Sequence, residues 1–244
     1  PVGPESGTTP ITVEYVKGVE RLCRKYGALL VFDEVVTGFR IGMAGAQGYF
    51  GVSPDLTIFG KVIAGGYPGA GGIGGKREYM KYLGAGLDSS GKKIHKALVG
   101  GTMTANPLSC CAGYFTLEEI ERTNACQKAG QMGDRICAGL KELVKKHGLP
   151  FVVWNTGSIC HLETVGTMHY QINWKKPWEI PAILGETGIR QKEMEHMGAA
   201  YMAEGLVTLA GSRLYTSAAY TPKMIDQALA CFDRVFENVA VKAD

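Results

Sequence analysis

Two short apolar runs, Ala28–Phe32 and Leu56–Phe59, each stop on polar chemistry. Asp33-Glu34 follows the first and Gly60-Lys61 the second. Aliphatic and aromatic runs of about four to six residues, bounded by polar or glycine signals, read as buried strands. Ligands of open α/β sheets collect at the carboxyl ends of the strands. An acid and an amine delivered to neighbouring strand ends are therefore candidates for one site.

A lysine at such a position, with apolar residues and glycine around it, is expected to lose hydration. That favours the neutral, nucleophilic amine. A neutral amine can form a Schiff base with an aldehyde cofactor, and a carboxylate opposite a pyridine nitrogen keeps that nitrogen protonated, making the ring an electron sink. Asp33 and Lys61 suit those two roles of pyridoxal phosphate. A structural ion pair at the sheet edge is the commoner use of a strand-end aspartate and lysine, and two residues alone do not displace it.

The surrounding words bear on that choice. DEVVTGFR is followed by AGAQGYFGVSPDL, then GKVIAGGYPGAGGIGG, then GTMTANPLSCCAG. In this order the four motifs resemble the class III (subgroup II) aminotransferase family, nearest its glutamate-1-semialdehyde aminomutase-like branch. The resemblance is strong over residues 1–123 and looser beyond. It implies a fold-type I, pyridoxal 5'-phosphate-dependent α/β enzyme in which Lys61 carries the cofactor and Asp33 faces the pyridine nitrogen. It further implies that Val35 packs on the ring, and that Gly101 and Thr102 reach the cofactor phosphate of the partner subunit in a homodimer. Many members carry Gln after the ring-packing valine; Val36 stands there instead, as in the aminomutase-like branch. The opening PVGPESG follows a Glu-Pro-Val strand end in the family. The resemblance therefore implies the C-terminal portion of a longer enzyme: part of a large mixed-sheet domain over 1–123, then a small α+β domain over 124–244. The family's Ser-Gly-x-Glu phosphate segment and ring-stacking aromatic residue do not occur in these residues.

Composition narrows the partners. Among 244 residues, 26 Lys+Arg against 23 Asp+Glu leave a net charge of +3. No long basic run occurs, which argues against nucleic acid or a membrane surface as partner. No stretch approaches the roughly 18 apolar residues of a spanning helix. The seven cysteines show neither CxxC nor zinc-like Cys/His spacing. They point to a reducing, cytoplasmic compartment without a metal site, with most of the thiols as small core residues.

Taken in order, Thr9 or Thr12 can cap a helix over Val13–Tyr26 that Gly27 closes. Arg40 can bind a substrate carboxylate or tie its loop to an acid such as Glu34, and the structural role is favoured. Gln47 lies near the active site by resemblance. Gly69-x-Gly71-x-x-Gly74 is formally a dinucleotide fingerprint, but it follows Tyr67-Pro68 rather than a strand. A turn and flat strand behind Lys61 are expected there, then a short helix over Tyr79–Tyr82 and a polar loop over residues 85–96. Helices are expected over Pro107–Glu121 and Cys126–Lys146. Strands follow over Phe151–Trp154, Ser158–Glu163 and Gly205–Ala210, with helices over Gln191–Ala203 and Pro222–Val239. His161, His169 and His196 share no evident spacing with carboxylates and read as ordinary residues. Met168–Pro181, with Trp174 and Trp178, reads equally as an insertion near the substrate entrance or a packed loop. Arg213 falls where many family members carry an arginine for the substrate carboxylate, and a guanidinium fork suits that ligand; a structural surface arginine is the alternative. The aminomutases' gating glutamate is not seen.

Three functions compete. The first is an aminotransferase acting between a small-molecule amino donor and an oxo acceptor. An aminomutase moving the amine within one substrate is the second, and a non-catalytic binding or assembly domain the third.

Overall fold

The computed structural model describes residues 2, 9–84, 86–93, 95–166 and 175–240. The chain divides into two compact units, one over Ile11–Ala125 and a second from Cys126 onward that also takes in Val2.

The first unit opens with α1 (Val13–Tyr26). The Thr12 hydroxyl accepts the Tyr15 N–H at 3.1 Å, satisfying one orphan donor of the first turn. Gly27, at φ 65°, ends the helix in a left-handed turn that glycine adopts without strain. Strand β1 (Val31–Asp33), the short helix α2 (Gly45–Phe50) and β2 (Leu56–Phe59) follow. Then come β3 (Gly72–Gly75), α3 (Arg77–Met80) and the long α4 (Pro107–Thr123). The three strands form one sheet in the order β1-β2-β3, β1 parallel and β3 antiparallel to β2. The first strand is shorter than its apolar run. Ala28–Leu30 lie outside the ladder, and the Leu30 N–H is spent on the buried Asp55 carboxylate at 2.8 Å.

Helix α4 presses on the turn that follows β2. The Asn106 side chain caps it by accepting the Ser109 N–H at 3.0 Å, and Pro107 occupies its first turn. One turn further along, a Cβ on Gly113 would run into the carbonyl oxygen of Ile63, within the single 3-10 turn Lys61–Ala64. Helix and turn therefore meet backbone to backbone. Gly113→Ala improves helix propensity, yet it is expected to cost about 1–2 kcal/mol, because overpacking outweighs that gain. Urea unfolding measures it, and an equally or more stable variant would contradict the close approach.

The second unit holds α5 (Ala125–Lys146), β4 (Val152–Thr156), β5 (Ile159–Glu163), α6 (Ile180–Ala203), β6 (Arg213–Tyr215) and α7 (Pro222–Ala240). Its antiparallel sheet runs β4-β5-β6. One face, with Val153, Cys160, Leu162 and Leu214, joins Leu140 of α5 and Phe232 and Phe236 of α7 in a continuous core.

Two expectations are corrected here. Gly205–Ala210 is not a strand: it contributes only a single bridge, Leu209 to Arg213, and the strand is Arg213–Tyr215. Positive φ at Gly205, Ala210 and Gly211 bends the apolar stretch instead of extending it. Helix α6 starts at Ile180 rather than Gln191, with Pro181 in its first turn, where a missing N–H costs nothing. Of Met168–Pro181, residues 168–174 lie outside the described residues, as does His169; Pro177–Glu179, which includes Trp178, forms a 3-10 turn. Among the described residues no helix is long and apolar enough to cross a membrane.

Candidate functional site

Both singled-out residues of the first unit leave the sheet at the carboxyl end of parallel strands. Asp33 ends β1 opposite Ile58, and the next residue, Glu34, donates its N–H to the Ile58 carbonyl at 2.8 Å. Lys61 follows β2 after Phe59 and Gly60. The Asp33 carboxylate is exposed, and its Oδ1 accepts the Val35 N–H at 2.9 Å, which folds the chain back at the strand end.

Glu34 turns the other way. It is buried, and its carboxylate accepts the Thr37 hydroxyl at 2.6 Å and the N–H groups of Ala46 and Gln47 at 2.8 and 3.0 Å. Those amides open α2, so a negative side chain sits where free N–H groups favour it. A Cβ on Gly45 would meet the same carboxylate. In the sequence Glu34 stands out only as a partner for Arg40; in the fold it organises the whole loop.

Held this way, Val35, Val36, Gly38, Arg40, Lys61, Val62, Gly66 and Tyr67 line a cleft of about 470 Å³. Val35 packs on Gly60, its Cγ1 only 3.2 Å from where a Cβ there would stand. Lys61 has φ 52°, a left-handed conformation that costs a non-glycine residue about 1–2 kcal/mol. Its side chain is exposed, so the apolar neighbours in sequence do not enclose the amine and the expected loss of hydration is not supplied by them. An amine, an acid at the adjoining strand end and a valine wall suit a flat, largely apolar ring that carries an aldehyde and a basic nitrogen.

The other candidates lie elsewhere. Gly101 and Thr102 are exposed, in a turn before α4 that is fastened to the bend after the cleft. There the Ala105 N–H donates to Gly69 O at 2.8 Å and Asn106 Nδ2 to Pro68 O at 3.2 Å. Neither Gly101 nor Thr102 lines the cleft, and neither does Gln47; Asp33 stands at the adjoining strand end and is not part of the lining either. Arg213 belongs to the second unit, half-buried on β6 opposite His161.

That histidine corrects the sequence reading. His161 and Glu163, alternate residues of β5, point to one face of the sheet and pair at 3.0 Å between Nδ1 and Oε1. Both are enclosed, at 0% and 1% exposure. The i,i+2 spacing was visible in the sequence and signifies a pair only once the segment is a strand. Among the described residues no group of three His, Cys, Asp or Glu is placed to hold a metal ion.

Comparison with known proteins adds to this geometry. The model of the family described as aminotransferase class-III matches residues 1–210. A glutamate-1-semialdehyde 2,1-aminomutase 2 from Brevibacillus brevis is 34% identical over 235 residues, covering 94% of this chain and 49% of that protein. Its counterpart from Shouchella clausii is 36% identical over 249 residues, with 99% and 52% covered. The chain thus spans about half the length of the curated relatives it matches. Among solved structures, an omega-transaminase from Sphaerobacter thermophilus superposes with a TM-score of 0.73 at 23% identity, covering 95% of this chain and 49% of that one. An ornithine delta-aminotransferase from Plasmodium falciparum gives 0.75 at 23% identity, over 99% of this chain and 56% of that one. These likenesses show the fold, the α/β fold-type I architecture of the transaminases.

Proposed function

The chain belongs to the class-III aminotransferase family, and from that premise we propose that it is the part of a pyridoxal-phosphate-dependent aminotransferase that carries the cofactor-binding lysine. One observation carries the reading: Lys61 lines a cleft at the carboxyl end of β2, and the parallel strand beside it ends in Asp33. When bound, pyridoxal phosphate supplies a protonated ring that takes up the electron pair released at the substrate's α-carbon. Lys61 Nζ holds the cofactor at rest and, once freed by an amino donor, takes the α-proton and returns it as general acid-base. Asp33 keeps the ring nitrogen protonated, and Val35 covers one face of the ring. Gly101 and Thr102 serve the phosphate of the second subunit in a homodimer, on an exposed turn just before a helix N-terminus, a place suited to phosphate. Arg213 takes the substrate carboxylate. The first unit belongs to the large cofactor domain and the second is the small domain. Seven free cysteines suit a cytoplasmic enzyme.

Borohydride reduction of the intact, cofactor-loaded protein followed by peptide mapping tests the reading. A reduced adduct on Lys61 is expected, and an adduct on another lysine, or on none, refutes it. Asp33→Asn keeps the side-chain shape and removes the charge. It is expected to lower kcat about 10²-fold with the cofactor still bound, in line with the loss of one preorganised electrostatic partner. An unchanged kcat would remove Asp33 from its role.

The names of the relatives favour a second reading, an aminomutase. A single-substrate assay without added oxo acid separates the two. The aminotransferase stops after one half-reaction, whereas an aminomutase turns over.

A further inference from the structure

Trp154, His161 and Arg213 occupy directly opposed positions on β4, β5 and β6, so their side chains rise in one row across the face of the sheet away from the helical core. Directly opposed residues stand about 4.5–5.5 Å apart at Cβ, close enough for long side chains to stack. The first step of the row is stacked: the Trp154 and His161 rings lie 4.2 Å apart and 5° from parallel. Glu163 fixes the histidine a second way, through its Nδ1. Arg213 flanks the other side of His161. The polar atoms Trp154 Nε1, His161 Nε2 and Glu163 Oε2 have no hydrogen-bond partner among the described residues, so this buried polar row is not explained by self-satisfaction.

From this geometry we infer that His161 and Glu163 are positioning residues for Arg213: the stacked, acid-anchored imidazole is the platform that sets where the guanidinium meets a substrate carboxylate. The inference deepens the proposed role of Arg213 and rests on it. A flat ring at the directly opposed position restricts where a planar guanidinium can lie, and a guanidinium fork binds a carboxylate tightly only when both N–H groups are aligned. The carboxylate of Glu163 acts one step removed, by holding the imidazole on the tryptophan.

The test compares two kinds of amino donor on the intact, cofactor-loaded enzyme: amino acids, and simple primary amines that lack the carboxylate. His161→Leu and Glu163→Gln are expected to raise KM for amino acids about tenfold, as for a misplaced binding group, and to leave KM for amines and both kcat values in place. His161→Phe, which keeps a flat ring on Trp154, is expected to recover most of the loss. A second readout needs no turnover: butyrate binding to the cofactor-free protein, followed by NMR, weakens by the same factor in His161→Leu. Arg213→Ala is the control for the underlying reading. If it fails to separate amino acids from amines, the carboxylate role of Arg213 falls and the platform with it. If Arg213→Ala separates them while His161→Leu and Glu163→Gln impair both donors equally, or neither, the platform alone is overturned.

Discussion

Lys61→Ala is expected to erase the absorbance band of the lysine-bound cofactor and to lower turnover at least ~10⁴-fold, with the fold intact. The magnitude follows from removing covalent attachment and proton transfer together, since a positioned acid-base group alone contributes about 10²–10⁴-fold and nucleophile deletions cost more. The fold should survive for a local reason. Lys61 sits at φ 52° after Gly60, as the first residue of a 3-10 turn held by α4. Alanine inherits that left-handed conformation at the same cost, and the lost side chain is exposed, so no packing is surrendered. Lys61→Gly separates strain from chemistry: it should be equally inactive, yet about 1 kcal/mol more stable than the alanine variant, because glycine adopts positive φ freely. The nearest substitute amine in sequence, Lys76, is engaged by Asp55 at 2.5 Å and is not available to replace it. A band that persists in the alanine variant would transfer the role to another lysine and undo the assignment of the cleft.

Much of this was legible in the sequence where local chemistry decides the outcome. The limits of α1 follow from Thr12 and Gly27, and β2 matches its apolar run, because caps and runs act within a few residues. Where distant partners decide, the reading failed. Gly205–Ala210 looks like a strand, but the backbone turns at Gly205, Ala210 and Gly211, and the ladder goes to Arg213–Tyr215. Gly185 and Gly188 punctuate the first part of α6 and hid eleven of its residues, Ile180 to Arg190. Lys61 has apolar neighbours in sequence, yet exposure depends on what closes over it in space. The same holds for His161, whose neighbours Trp154 and Arg213 arrive only through strand register. Of the candidate site, the strand-end positions of Asp33 and Lys61 were foreseeable, whereas the fastening of the intervening loop by Glu34 was not.

The deepest structural dependence of the first unit runs through Asp55, and Asp55→Ala is expected to destabilise the protein by about 3–5 kcal/mol at neutral pH. The carboxylate is 1% exposed and joins four segments. It receives Arg24 of α1 at 2.8 and 2.7 Å, the Leu30 N–H ahead of β1 at 2.8 Å, and Lys76 after β3 at 2.5 Å, while sitting itself at the start of β2. Burial alone would push this carboxyl up, but the Leu30 N–H, Lys76 and Arg24 outweigh it and hold it at about 2, below the ordinary 3.8. A depressed folded-state pKa adds stability that is fully present above the unfolded value and is lost as pH falls through the folded one. The gap between wild type and Asp55→Ala should therefore be constant from neutral pH down to about 4, then narrow as pH approaches 2. Arg24 and Lys76 are partly exposed and recover water in the variant, so the lower end of the range is expected; the buried Leu30 N–H, left without an acceptor, sets its floor. Asp55→Asn retains an acceptor for that N–H but gives up the charge and with it both ion pairs, and should fall between the two. Urea unfolding across this pH range measures all three proteins. A variant as stable as wild type at neutral pH, or a gap that does not shrink in acid, would mean that β1 and β2 are aligned by something other than this carboxylate, and with them the strand ends that bring Asp33 and Lys61 to one edge.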